Sequence, residues 1–487
     1  GVGILFTNGT GTGKAQPLDA RILTPTGWAR MGDLSVGDRV ISVDGQPTEV
    51  TGVFPQGEKP IYRVRFSDGA ETECCAEHLW ETQTLYERRK ARENPSWACA
   101  QPKVRSLEEI MATLDAQHFV PVTAAVQSDL PAPEAVPPYT MGVLLGDGCF
   151  RGGGITFSLP DTEIVENVRA ELCEGYSLHA VATGDRCPAY RISDDVGAPA
   201  VVPGGFRASR MKNALKAWGL WARFSFEKHV PEPYLVARQE DRVALLQGLL
   251  DTDGWVDKKS RSPYFGTSSP ALADAVVALA RSLGGTATRS EKVTASGRPG
   301  YTICLNLPAG IEPFRLPRKA ALYAPNTKYP PRRKIVAIEP VGTKPAQCIR
   351  VAHESRLYVT DDYVVTHNTF TGLGVVKRFA LRGKPNALIL VPTEGVAKQW
   401  RDTAKSFFDL DVQQLKDTKD AGIPGQPAIT TYANFYQNYD LLLREWDLVM
   451  PDESHHLLQE KSGAMNSRTR HFFGLTYNPD HLFTAAY

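Results

Sequence analysis

The sequence predicts a multi-domain protein of three architectures. An all-β domain carries an α+β domain inside it, and both interrupt an α/β nucleotide-binding domain. Three observations predict this. A phosphate loop opens at residues 9–14 as Gly-Thr-Gly-Thr-Gly-Lys and finds its missing hydroxyl residue only at Thr369. Alternating β-type runs with Gly-containing turns fill 15–125 and return at 331–368. Between them, an apolar helical run ending in Asp-Gly occurs twice, at 141–148 and 245–254. The expected domains are 1–14 with 369–487, 15–125 with 331–368, and 126–330.

The composition sets bounds. With 487 residues, about three domains are expected at roughly 150 residues each. An apolar fraction of 42% and a charged fraction of 22% are those of a soluble globular chain. The net charge of +1 gives no global sign of nucleic-acid binding, so any basic surface must be local. The eight cysteines are dispersed and form no C-x-x-C pair, which argues against zinc and for free thiols in a reducing cytoplasm. No signal peptide and no apolar run of membrane-spanning length is present. The chain begins at Gly1 and stops in mid-pattern at Tyr487, as a fragment would. We expect a monomer.

In the first segment, a short apolar run leads into the Gly-rich turn. Backbone amides around Gly9, Gly11 and Gly13 suit phosphate oxygens, and Lys14 suits the β/γ-phosphates. The hydroxyl that would hold Mg²⁺ is absent there. Deleting 15–368 would supply it as Thr369. At that far boundary stands Thr366-His367-Asn368-Thr369. An Asn side-chain amide can attack its own carbonyl, closing a succinimide and cutting the chain. His367 can assist with a proton, and Thr369 offers a nucleophilic hydroxyl.

The β-rich segment carries a resemblance. The stretch from Gly27-Trp-Ala-Arg to Gly37-Asp-Arg-Val-Ile-Ser resembles the opening block of a Hint (hedgehog/intein) domain. Cys75-Ala-Glu-His78-Leu-Trp80 resembles its Thr-x-x-His block, with Cys75 in the Thr position. Most inteins begin with Cys or Ser, and this one begins with Ala15, which has no nucleophile. Ala15 is what an engineered, trapped class 1 intein would carry. It also fits a class 3 intein, whose internal Cys works with a Trp and a Thr, and Trp80, Cys348 and Thr366 match that set. The class 3 resemblance implies that Cys348 attacks the Lys14–Ala15 bond with His78 as proton donor. The acyl group then passes to Thr369, and Asn368 cyclises. No cofactor is implied for splicing.

Residues 126–330 begin with a Pro-rich linker. The two apolar runs that follow would bring Asp147 and Asp253 together at one end of a helix pair. Paired carboxylates bind divalent metal and position water for phosphodiester hydrolysis. The runs resemble the paired LAGLIDADG motifs of homing endonucleases. That resemblance implies a double-stranded DNA partner, Mg²⁺ at Asp147 and Asp253, and strands lying in the major groove. A DNA-binding module with an inactive nuclease is the competing reading. Lys228 and Lys292 are candidate charge-stabilising lysines. A basic border of Arg315, Arg318, Lys319, Arg332, Arg333 and Lys334 suits phosphate contacts or a solvated surface, as does the charge run 86–92.

Beyond Thr369, a Gly-closed helix, buried apolar strands and a strand ending at Asp452-Glu453-Ser-His455 alternate. This pattern indicates a parallel sheet with its active edge at the strand ends. Asp452 suits Mg²⁺, and Glu453 suits activation of the attacking water. The set resembles the first RecA-like domain of superfamily 2 DExH helicases, with Pro451 and Tyr477-Asn478 as departures. It implies ATP, Mg²⁺ and nucleic acid as partners of the restored loop, with Thr369, Asp452, Glu453 and His455 around the nucleotide.

Overall fold

The computed structural model describes residues 15–367 apart from 95, 97–100, 152–153, 184–186, 195–208, 295–296 and 328–330. Beyond 367 it describes 376, 386–391, 393–408, 410–417, 422–438, 441, 444 and 446–451. The expected sites at Gly9, Gly11, Gly13, Lys14, Asn368, Thr369, Asp452, Glu453 and His455 lie outside these residues, as does the His367 side chain.

Both ends of 15–367 contribute to one 12-stranded antiparallel assembly. Its spine pairs Pro47–Phe66 with Arg333–Val351, from Phe66 opposite Ile335 to Val50 opposite Val351. Four register shifts interrupt this ladder, and such irregularities bend and twist a ribbon. Apolar residues alternate along the spine, so one stretch covers a core of Val64, Phe66, Trp80, Leu107 and Ile335. Another stretch covers Ile22, Met31, Val40, Val50 and Ile349. The start and end of the segment then close on each other. Gln16 lies opposite Gln347, Ile22 opposite Thr360, and His367 opposite Leu79.

The inserted α+β unit is an internal repeat. Helix Pro138–Asp147 is followed by strands Gly148–Cys149 and Ile155–Ser158, helix Thr162–Glu171, and strands Tyr176–Val181 and Ala189–Asp194. Helix Gln239–Asp253 opens the same succession, through Gly254–Val256, Pro263–Thr267, Pro270–Ser282, Thr286–Val293 and Pro299–Asn306. Each half makes a four-stranded antiparallel sheet in the order first, second, fourth, third. One apolar core runs through both halves.

The two motif helices meet backbone to backbone. A Cβ added at Gly142 would lie 2.3 Å from the Leu245 carbonyl oxygen, and one at Gly248 2.2 Å from that of Tyr139. The Pro-rich linker is docked rather than loose: Arg238 N–H donates to Leu130 O at 2.8 Å, and the Tyr234 hydroxyl donates to Val136 O at 2.6 Å.

After residue 385, strands Gln413–Gln414, Ala428–Thr431, Ala387–Val391 and Leu448–Pro451 form a parallel sheet in that order. Helices Glu394–Phe408 and Tyr432–Gln437 accompany it. Pro451, an unexpected strand residue from sequence, pairs with Leu390 on the outermost strand among the described residues. Edge strands tolerate the missing N–H. No helix among the described residues is long and apolar enough to cross a membrane.

The helix crossing gives a stability test. Gly248→Ala should destabilise the protein by about 1–3 kcal/mol through overpacking, read by denaturant unfolding. Unchanged stability would mean that the two helices are not in backbone contact.

Candidate functional site

Two centres emerge. The first forms where the β domain closes. The pairing of Gln16 with Gln347 and Pro17 with Ala346, continued by one residue, sets Ala15 across from Cys348. Directly opposite residues in an antiparallel pair have Cα atoms about 4.5–5.5 Å apart. Ala15, Cys75 and Cys348 are all buried. Ala15 N–H donates to Cys75 Sγ at 3.1 Å, and Cys75 N–H donates to Ala15 O at 3.0 Å. Burial pushes the Cys75 thiol up to about 12, so it remains protonated at neutral pH. The side chain hydrogen-bonded to the Ala15 nitrogen is therefore that of Cys75.

His78 and Trp80 stand next in the same wall. His78 Nε2 is hydrogen-bonded to Thr366 Oγ1. The His78 ring packs edge-on to Trp80 at 5.6 Å between centroids. The Trp80 N–H faces the buried Cys74 thiol, whose ionisation is pushed well up by desolvation and then by Cys75. Thr366 is placed by the strand Val364–His367, which pairs with Leu357–Thr360.

Behind Cys348 lies a polar layer that sequence reasoning missed. The Tyr358 hydroxyl donates to Gln16 Oε1 at 2.8 Å. Gln16 Nε2 donates to Thr360 Oγ1 at 3.0 Å and to Thr72 Oγ1 at 3.3 Å. Burial, and next the Cys348 thiol, hold Tyr358 far above its ordinary range. The signal was present in the alternation of 357–360, which puts Tyr358 and Thr360 on one face.

The second centre lies where the motif helices end. Asp147 and Asp253 occupy equivalent positions, and both residues are solvent-accessible. Protein mass around them raises both carboxyls. Asp253 rises to about 6, from desolvation first and the Asp147 charge second. Lys228 Nζ donates to the carbonyls of Leu144, Leu145, Gly146 and Gly148 at 2.8–3.1 Å. Lys319 Nζ repeats this on Leu250, Asp251, Thr252 and Gly254 at 2.6–3.3 Å. Each lysine thus caps the carbonyl end of one motif helix, where unsatisfied C=O groups and the negative end of the dipole converge. Burial lowers both ammonium groups to about 8, which leaves them charged at neutral pH.

The lysine pair corrects the sequence expectation. Lys292 is exposed on the strand Thr286–Val293. Lys319 is the counterpart of Lys228 at the end of the second motif helix. The basic border is likewise used internally. Arg315 pairs with Glu171, Arg318 with Asp161, and buried Arg333 with Asp68. Burial lowers Arg332 against the opposing charge of Glu81. In the charge run, Arg88 lies over Phe119 and Lys90 pairs with Glu93.

The acid pair fits a divalent cation on two grounds. Its carboxylates are reachable, and like charge already raises Asp253. Among the described residues no group of three or more His, Cys, Asp or Glu is placed to hold a metal. The remaining ligands of a bound cation would therefore be backbone carbonyls, water and substrate oxygens.

Comparisons with known proteins fall on the same segments. Residues 240–315 match the LAGLIDADG-like domain family, and 368–477 match the type III restriction enzyme res subunit family. The replicative DNA helicase DnaB of Mycobacterium intracellulare is 31% identical over 402 residues, covering 78% of this chain and 62% of that protein. DnaB of Mycobacterium leprae is 44% identical over 73 residues, covering 15% of this chain and 12% of that protein. The chain thus spans less than two thirds of the length of the relatives it matches. A match over 78% of this chain is too long to lie outside 15–368, so most of the DnaB likeness falls on that interrupting segment. Among solved structures, the MchDnaB-1 intein is 42% identical over 14% of this chain and 53% of its own, with a TM-score of 0.14. A variant set of the homing endonuclease I-DmoI is 14% identical over 36% of this chain and 89% of its own, with a TM-score of 0.25. Scores of that size leave the fold to be judged from its own strands and helices. The segment 240–315 that matches the LAGLIDADG-like domain family overlaps the second half of the structural repeat.

Asp253 makes a pH test. Its folded pKa lies above the ordinary carboxylate value, so its contribution to stability is fully present below about pH 4. That contribution is lost as pH rises through about 6. Asp253→Asn should raise the melting temperature at pH 7.5 and leave it unchanged at pH 4. Equal shifts at both pH values would contradict the assignment.

Proposed function

We propose that the chain is a self-splicing precursor. Residues 15–368 would act as an intein of the class 3 type, carrying a LAGLIDADG-type endonuclease and interrupting the phosphate loop of a superfamily 2 helicase-like domain. The observation that carries the splicing reading is the strand register that sets Ala15 across from Cys348. No side-chain nucleophile exists at Ala15, whereas Cys348, one position beyond the last pair of that register, carries a buried thiol on the opposite strand.

The chemistry follows from that placement. Cys348 sulfur attacks the Lys14 carbonyl carbon, a C–S bond forms, and the Lys14–Ala15 C–N bond breaks. The Ala15 nitrogen leaves as an amine and takes up the proton that the thiol gave up. Cys75 Sγ accepts from that nitrogen at 3.1 Å and holds it in place. His78, bonded through Nε2 to Thr366 Oγ1, is the group that relays the proton. The acyl group passes to the Thr369 hydroxyl with release of the Cys348 thiol. The Asn368 side-chain nitrogen then attacks its own carbonyl, releasing 15–368 with a C-terminal succinimide. An O-to-N shift leaves a Lys14–Thr369 peptide bond. A free cysteine has a pKa of about 8.5, so Cys348 needs local activation. The Tyr358–Gln16–Thr360 layer beside it is the polar surrounding available.

For the inserted unit the substrate class is double-stranded DNA, with the exposed faces of the two sheets in successive stretches of major groove. Asp147 and Asp253 would hold Mg²⁺, which supplies Lewis-acid stabilisation of a scissile phosphate. Lys228 and Lys319 cap the carbonyl ends of the two helices that carry these carboxylates. Once 15–368 has left, Lys14 and Thr369 would stand together in a loop suited to ATP and Mg²⁺, with Asp452 and Glu453 as the carboxylates.

Two measurements test the reading. Cys348→Ala should abolish both N-terminal cleavage and ligation, seen as persistence of intact precursor by mass spectrometry. Normal splicing in that variant would sink the class 3 assignment. Asp147→Ala should eliminate nicking of target DNA while spliced product forms at the unchanged rate. Loss of both activities in a folded variant would refute separate centres.

A further inference from the structure

The inserted unit reaches back into the splicing centre through one turn. Residues 361–363 connect the strands Leu357–Thr360 and Val364–His367. Asp362 and Tyr363 both adopt positive φ there, 55° and 57°. Non-glycine residues in that region cost energy and persist only when their surroundings hold them. The β domain supplies part of the hold. Arg21 N–H donates to Asp361 Oδ1 at 3.1 Å, and Glu71 N–H donates to Asp362 Oδ2 at 3.0 Å.

The rest comes from the insertion and its boundaries. Arg281, at the end of helix Pro270–Ser282, pairs with Asp362 Oδ1 at 3.2 Å and with Asp68 at 3.6 Å. The side chains of Arg281 and Asp68 are only 7% and 5% exposed. Arg333, the first strand residue after the insertion, pairs with the same Asp68 at 2.9 Å and donates to the Tyr363 carbonyl. At the other crossing, Val122 bridges to Val364. The two segments by which the chain leaves and re-enters the β domain therefore both rest on 363–364. Arg281 is the reach of the inserted unit itself to the adjoining residue.

We propose that Arg281 of the inserted unit is a positioning residue for protein splicing. Through Asp362 it fixes the left-handed turn that sets the strand Val364–His367, which brings Thr366 to His78 and immediately precedes Asn368 in sequence. The inference rests on the splicing reading above. It predicts a larger effect on cyclisation than on thioester formation. The register of Gln16 is tied to this turn on its Asp361 side, through Thr72 and Thr360, whereas Arg281 holds Asp362.

The experiment follows purified full-length precursor by timed mass spectrometry. Hydroxylamine traps the thioester at Cys348, and the free C-terminal succinimide reports cyclisation. Arg281→Ala should slow cyclisation about tenfold, equivalent to ~1.4 kcal/mol, and thioester formation by less. Asp362→Asn, which retains tolerance of positive φ, should slow the same step, and the double variant should be no slower than either single one. Arg281→Lys should restore part of the rate. Parallel loss of both steps in Arg281→Ala and Asp362→Asn would overturn the proposal in favour of a purely structural ion pair. An unchanged cyclisation rate in both would also overturn it. An unaltered precursor that forms no thioester would instead sink the splicing reading itself.

Discussion

Two residues of backbone pairing determine where Ala15 lies against the β domain. Gln16 and Pro17 add to the strand Arg333–Val351 opposite Gln347 and Ala346, and Ala15 inherits its place from them. A register slip of one residue would turn every side chain in the pair to the opposite face. Gln16 resists such a slip, because its amide is held by Tyr358, Thr360 and Thr72 at once. The far-sequence strands must be assembled before any of these partners exists. The centre is therefore a property of the closed domain and not of its local segments.

Much of the architecture was legible in the sequence because its signals are periodic. Alternation over 61–66 and 357–360, the duplicated apolar runs and the buried strand at 387–391 each mark an element without reference to tertiary contacts. What stayed hidden was pairing. The sequence singled out Trp80, Cys348 and Thr366, but nothing local says that the Cys75 sulfur meets the Ala15 nitrogen. Lys292 and Lys319 illustrate the limit. Both are lysines near the end of the second repeat, and only three-dimensional equivalence with Lys228 picks the one that caps a helix. Three arginines of the basic border, Arg315, Arg318 and Arg333, show a related limit. Arginines that close ion pairs inside a fold read in sequence like arginines that meet phosphate.

The inserted unit solves an electrostatic problem created by its own symmetry. Two helices converge carbonyl end to carbonyl end, and each adds a carboxylate at the point of approach. Uncompensated, that arrangement would drive the helices apart. Lys228 and Lys319 return positive charge to each end, and glycines 142 and 248 let the backbones close. The acidic pair is held in place by groups that do not themselves ligate it.

The burial of Ala15, Cys75 and Cys348 has a chemical corollary. Acyl groups on sulfur are lost to hydrolysis wherever bulk solvent can reach them. A centre sealed among Ile61, Ala346 and the polar layer of Gln16 leaves an activated carbonyl with amines and hydroxyls of the chain itself as its nearest acceptors. In the proposed reaction, dryness at that point would work as a fidelity device, biasing the outcome toward joining the flanking segments over severing them.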